Sequence, residues 1–126
     1  ESCFNEYDAE KLVSLNACDG INIKLGKSSG FVRAQRIAAI ANEDKLVLQV
    51  GGFLESRLGF TAAAHFAMAH PEIDCIDFDT PLMFTKDPIA GGIRYGEKGS
   101  LMLTESAGLG ASLHPEYYSS EQISIS

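Results

Sequence analysis

No apolar run in this chain approaches the ~20 residues of a membrane span, so a membrane-spanning role is not expected. Cationic charge is also scarce. Ten Lys and Arg stand against seventeen Asp and Glu, a formal net charge of −7, which argues against nucleic acid and anionic membranes as partners. The three cysteines, Cys3, Cys18 and Cys75, are odd in number and show neither C-x-x-C nor zinc-ligand spacing. Reduced thiols in a cytoplasmic protein are expected. No charged-then-apolar leader follows Glu1, so no signal peptide is visible; in a segment of a longer protein, that absence would say nothing about the parent's start. The 126 residues, 45% of them hydrophobic, suit one soluble globular domain with a modest core.

What the chain does have is a repeating unit. Asp8 to Ala17 reads as a short amphipathic helix capped by Asp8. Asp19-Gly20 turns into a strand, Ile21 to Leu25, and Ser28 to Asn42 follows with apolar residues at helical spacing. A second strand, Leu46 to Val50, leads through Gly51-Gly52 to an alanine-rich helix from about Ser56 to Ala69. His70-Pro71 ends that helix and Ile73 to Phe78 forms a third strand. The strands recur about every 25 to 28 residues, close to the roughly 31 per unit of a (β/α)₈ barrel. The plainer alternative is a small stand-alone flavodoxin-like domain, but the element order does not supply its five strands. A three-stranded parallel sheet on its own leaves both edges open. Beyond Asp79, Pro81, Pro88, Gly91-Gly92, Gly96 and Gly99 punctuate short apolar pieces, which predicts turns and small strands leaving a barrel. The polar tail from Ser119 to Ser126 is expected to fray.

Reactive groups stand where the apolar runs end. In a parallel α/β sheet or barrel, the carboxyl ends of the strands share the face that carries the chemistry. Alternation puts Asn22 and Lys24 on one face and Ile21 and Ile23 on the other. With the isoleucines packed against helices, Lys24 points to the barrel mouth, where desolvation or a nearby cation would lower its pKa towards that of a base. The competing reading is a lysine that snorkels to solvent. Lys27 reads as a solvated surface charge. Asp77 and Asp79 alternate around Phe78 and share a face. Two such acids call for a shared cation, a metal or a donor-rich setting, unless they form a solvated acidic turn before Thr80-Pro81. Glu55 follows Gly51-Gly52, whose backbone can approach a ligand closely; a first-turn glutamate favoured by the helix dipole is the alternative. His65, His70 and His114 lack ligand spacing and read as helix and surface residues. Gly108-Leu109-Gly110 has no strand-before, helix-after context and is a turn signal.

Taken together, these segments resemble the enolase superfamily, muconate-lactonizing subgroup. Asn22-Ile23-Lys24-Leu25 with Lys27-Ser28-Ser29-Gly30 resembles its sixth-strand motif. Leu54-Glu55-Ser56-Arg57-Leu58-Gly59 with Ala62-Ala63-Ala64-His65 is similar to the segment after strand seven. Asp77-Phe78-Asp79-Thr80-Pro81 is similar to the eighth-strand D-x-D of the subgroup's dipeptide epimerases. Gly91-Gly92 and Ala107-Gly108-Leu109-Gly110 resemble the C-terminal segment, although the family more often has proline in place of Ala107. Glu1-Ser2 resembles the end of a fifth-strand Asp-Glu-Ser.

The resemblance implies an α/β fold: the C-terminal half of a (β/α)7-8 TIM-like barrel over residues 1–80, and a C-terminal segment of the α+β capping domain over 81–126. It implies an isomerase that inverts the α-carbon of a dipeptide's C-terminal residue by Mg²⁺-assisted 1,1-proton transfer through an enolate. Lysine bases with Mg²⁺ in enolase-type sites are a known pattern. Lys24 would be one of two acid/base lysines, Asp77 and Asp79 would hold the dipeptide ammonium, and Glu55 would lie close to the substrate. The second lysine and the acidic metal ligands have no match here. They are expected upstream of Glu1, in the missing N-terminal half, so residues 1–126 alone are expected to be inactive. The rival readings are an N-acylamino acid racemase, an o-succinylbenzoate synthase, a muconate cycloisomerase, or a non-catalytic half-barrel. Homo-oligomerisation stays open.

Overall fold

The computed structural model describes residues 2–117; Glu1 and the polar tail from Ser119 lie outside the described residues. The first helix, α1, spans Glu6–Ser14 and is capped by Asn5, whose backbone is extended. The Asp8 N–H donates to Asn5 Oδ1 (3.0 Å), and the Asp8 carboxylate accepts from the Phe4 N–H (2.9 Å). This reciprocal pair, akin to a capping box, starts the helix two residues before the expected Asp8. Glu6 is nearly buried, and Arg36 Nη1 of the next helix donates to its carboxylate at 2.7 Å.

Strand β1 (Gly20–Lys24), helix α2 (Phe31–Glu43), strand β2 (Val47–Gly51) and helix α3 (Arg57–Ala69) follow the expected order. Helix α2 begins later than Ser28 because Ser28 closes a turn. Its N–H and that of Lys27 both donate to the Lys24 carbonyl, at 3.0 and 2.9 Å, and its buried hydroxyl also faces that carbonyl. Gly30 follows at φ 96°, a conformation that excludes most side chains from a helix.

The strands form a parallel sheet in the order β1-β2-β3, with Asn22 opposite Gln49 and Lys24 opposite Gly51. Ile21, Ile23, Leu48 and Val50 are buried on one face with Ala34, Ile37, Ala38 and Ala41 of α2 and Phe60, Ala63 and Phe66 of α3. Burial of this apolar surface is the main force that seats the two helices on the sheet. The opposite face carries Asn22 and Gln49.

The third strand differs from expectation: β3 covers only Cys75–Ile76, not Ile73 to Phe78. At its start, the Asp74 carboxylate accepts from the Leu48 N–H (2.8 Å), so a side chain replaces a ladder carbonyl. At its end, the Asp77 N–H still donates to the Val50 carbonyl (2.9 Å), but Asp79 turns to helical dihedrals and enters a 3₁₀ turn, Thr80–Met83.

The rest of the described chain forms the small strands expected. β4 (Ile89–Gly91) pairs antiparallel with β7 (Ala111–Leu113), and β5 (Arg94–Tyr95) with β6 (Leu101–Met102). Arg57, the first residue of α3, clasps this segment. Its guanidinium pairs with Asp87 and donates to the carbonyls of Ile89, Gly91 (2.6 Å) and Ile93 (3.0 Å). Thr61, one turn on, is fully buried and accepts the Ile93 N–H at 3.0 Å. Gly108 and Gly110 take positive φ and turn the chain into β7. Among the described residues, no helix is long and apolar enough to cross a membrane.

Candidate active site

The carboxyl ends of the three parallel strands bring all four candidate residues to one end of the sheet. Lys24 closes β1, Glu55 lies four residues beyond β2, and Asp77 and Asp79 follow β3. The register aligns them further. Lys24 is paired with Gly51, and the next step of the β2–β3 register, after Val50 opposite Ile76, sets Gly51 opposite Asp77. The Asp77-to-Val50 hydrogen bond continues the ladder to that point. A lysine and an aspartate thus share one row with a glycine between them. At a strand spacing of about 4.8 Å, their backbones stand about 10 Å apart across a position without a side chain. A Cβ at Gly51 would meet the Asn22 side chain at 2.9 Å, so the row is already close-set below.

Lys24 is half-buried, and its Nζ lies 5.1 Å from the centroid of the Phe53 ring. This is a cation–π distance, which orients the ammonium. The loop that carries Phe53 is fixed at both polar groups of that residue. Its N–H donates to Glu55 Oε1 (2.9 Å), and its carbonyl accepts from Thr80 Oγ1 (3.0 Å). The ring lies against Gly26, where a Cβ would sit 3.1 Å from it. Lys27 is not the solvated charge expected. Its Nζ stands over the Phe4 and Phe53 rings, at 5.3 and 5.7 Å from their centroids. Phe53 therefore sits beneath two cations at the mouth of the site.

Glu55 does not cap α3; Ser56 holds that position. Its carboxylate folds back into its own loop, close enough to Gly52 and Gly59 that a Cβ at either would collide with it. Asp77 and Asp79 are exposed, and among the described residues neither forms an ion pair with Lys24. Phe78 between them is buried, stacked on Phe60 at 5.0 Å, and its carbonyl accepts the Tyr95 hydroxyl at 2.6 Å.

The histidines stand apart. His65 faces the Leu109 carbonyl, and His70 contacts Glu72 at 3.0 Å. An apolar hollow of about 410 Å³ behind β3, lined by Ala64, Met68, Ile73 and Leu103, holds none of the four candidates. Phe53, Thr80 and Tyr95 were not singled out in the sequence. Phe53, beside Gly51-Gly52, and Thr80, beside Asp79, adjoin segments the sequence marks; Tyr95 does not.

The arrangement can hold a small molecule with opposite charges at its two ends. A cation and the acids stand at the two ends of one row, with Gly51 between them and the Asn22 side chain against it. The lysine can exchange a proton with a ligand lying over Gly51, while the exposed carboxylates accept hydrogen bonds from a positively charged end. Among the described residues, no group of three His, Cys, Asp or Glu side chains could hold a metal.

Comparison with known proteins adds to this geometry. The profile of the Enolase C-terminal domain-like family matches residues 1–117. A D-Ala-D/L-Ala epimerase of Cytophaga hutchinsonii is 52% identical over 119 residues, which cover 94% of this chain and 32% of that protein. The crystal structure of the Cytophaga hutchinsonii dipeptide epimerase with Mg and D-Ala-L-Val superposes with a TM-score of 0.89 at 52% identity, over 92% of this chain and 32% of that one. A substrate-liganded L-Ala-D/L-Glu epimerase from Bacillus subtilis gives 0.84 at 38% identity, over 87% and 30%. The chain spans about a third of the length of these relatives.

Proposed function

Because the chain belongs to the enolase C-terminal domain-like family, we propose that it supplies one side of the active site of a dipeptide epimerase. The observation that carries this reading is the row Lys24–Gly51, continued to Asp77 by the next step of the β2–β3 register, which sets a base and an ammonium acceptor on opposite sides of a glycine. The dipeptide lies across Gly51 with its amino end at Asp77 and Asp79 and the α-carbon of its C-terminal residue at Lys24. The neutral Lys24 amine removes the α-proton, and the C–H electron pair moves into the adjacent carboxylate to give an enolate. A base on the opposite face, outside residues 1–126, returns a proton to the same carbon and inverts it. Lys24 plays the reverse role for the other epimer.

Phe53 steers the lysine ammonium in the alternate half of the cycle, and Glu55 borders the substrate while it holds the Phe53 loop. The two carboxylates distinguish a free ammonium from an acylated nitrogen, which favours dipeptides over N-acylamino acids. Magnesium, present in the Cytophaga hutchinsonii complex, is the cofactor we assign to the assembled site. The described residues do not fit it, so its ligands are placed outside this chain. We assign residues 1–80 to the barrel and 81–126 to the segment that packs toward the capping domain. The end of the parallel sheet at Ile76 and the change to antiparallel pairs from Ile89 support that division. Three free cysteines support a cytoplasmic location.

The test is the double variant Asp77→Asn with Asp79→Asn, in the polypeptide that joins this chain to the remaining barrel strands. Hydrogen bonds to charged groups contribute about 1.5–3 kcal/mol, so KM for a dipeptide should rise by about 10- to 100-fold or more. An unchanged KM would rule out the ammonium clamp. Gain of N-acylamino acid turnover by the same variant would instead confirm that the acids select the free amine.

A further inference from the structure

We propose that Tyr95 is the positioning residue of the Asp77–Asp79 pair, holding the peptide that joins the two acids through a hydrogen bond from its hydroxyl to the Phe78 carbonyl. The inference deepens the clamp described above and rests on it for its catalytic meaning. The geometry itself stands on separate observations.

Phe78 is the residue between the two carboxylates, and three of its attachments are seen. Its ring is buried against Phe60 at 5.0 Å. The residue before it is tied to β2 by the Asp77 N–H. Its carbonyl, part of the peptide that leads into Asp79, accepts the Tyr95 hydroxyl at 2.6 Å. Without the last bond, that peptide plane would be free to rotate just where the chain leaves extended geometry for the helical dihedrals of Asp79. A rotation there would swing the Asp79 carboxylate while leaving Asp77 on its ladder. Tyr95 thus sets the relation between the two acids.

Tyr95 is itself well placed for such a role. It lies on β5, opposite Leu101 of β6, in the segment that Arg57 clasps. Burial pushes its hydroxyl up to about 12, with Asp79 and Asp87 adding to the effect and Arg57 opposing it. The hydroxyl therefore remains a donor throughout the neutral range.

The substitution Tyr95→Phe keeps the ring and removes only the donor. It should be made in the active polypeptide and read in two ways. The ¹³C carboxyl resonance of Asp79 is expected to shift, while those of Asp77, Asp8, Asp19 and Asp44 stay in place. KM for a dipeptide is expected to rise about 5- to 10-fold with kcat within about twofold, the effect of one lost hydrogen bond on ligand positioning. An unmoved Asp79 signal would overturn the proposal whatever the kinetics. So would parallel losses in kcat and thermal stability with KM unchanged, which mark a merely structural tyrosine. A shifted Asp79 signal with both kinetic constants unchanged would keep the positioning role and sink the clamp.

Discussion

On the proposed function, Lys24→Met in the polypeptide that joins this chain to the remaining barrel strands is expected to lower dipeptide epimerisation by about 10³-fold or more, since a positioned acid–base group contributes about 10²- to 10⁴-fold and no other lysine ends a strand of this sheet. Methionine keeps the length of the side chain and its contact with the Phe53 ring while removing the amine. The loss should also be one-sided. In deuterated water, the epimer whose α-proton faces the opposite base should still exchange that proton for deuterium, without inversion. The other epimer should be inert. Proton exchange followed by NMR for each epimer separates this outcome from simple disruption of the site, which would remove both reactions. Interconversion within tenfold of the unsubstituted protein would exclude Lys24 as a base.

Arg57→Ala is expected to give the largest loss of stability. The guanidinium joins Asp87 and three carbonyls, those of Ile89, Gly91 and Ile93, and its side chain is only 19% exposed. Alanine leaves those carbonyls without a donor and Asp87 without its cation. We expect a cost of about 3 kcal/mol, seen as a fall in Tm of roughly 10 °C. Arg57→Lys should recover less than half of it, because a point charge cannot serve four acceptors in a planar fork. Hydrogen exchange at the amides of residues 89–93 checks the cause. Protection there should fall well before that of β1 and β2. Uniform loss across the chain would mean that Arg57 supports α3 rather than the segment it clasps.

The parts of this architecture that were legible in the sequence are the local ones. Ile21 to Lys24 alternates cleanly, so the burial of the isoleucines and the opposite facing of Asn22 and Lys24 followed from strand geometry. The helix expected from Ser28 to Asn42, which begins three residues later at Phe31, and the alanine-rich helix from about Ser56 are marked by spacing. The ends were less clear. The position of Asp8 before the apolar residues predicts a cap, yet Asn5 caps α1 and Asp8 answers it from inside the first turn. The third strand shrank because Asp74 bonds to the ladder with its side chain, a choice that hydrophobic pattern does not encode. Around the site, the four strand-end residues were visible, but the residues that hold them were not. Tyr95 reaches Phe78 and Thr80 reaches Phe53 across 17 and 27 positions, and Arg57 reaches its carbonyls across 32 to 36. Such contacts depend on tertiary docking, which periodicity and local propensity leave open.

The bond from Tyr95 back to Phe78 also has a consequence for how the protein is born. Each parallel strand can add to its predecessor as it leaves the ribosome, so the strand bearing Lys24 can find its neighbour early. The acids are different, because their relation is set by a residue about 70 positions beyond the lysine. At typical elongation of about 5–20 residues per second, that residue is made roughly 4 to 14 seconds later. Phe78 itself precedes Tyr95 by only 17 positions, about 1 to 3 seconds at that rate. For that last stretch the nascent sheet would carry a placed lysine and an unset pair of aspartates, so the two halves of the pocket come of age at different moments of translation.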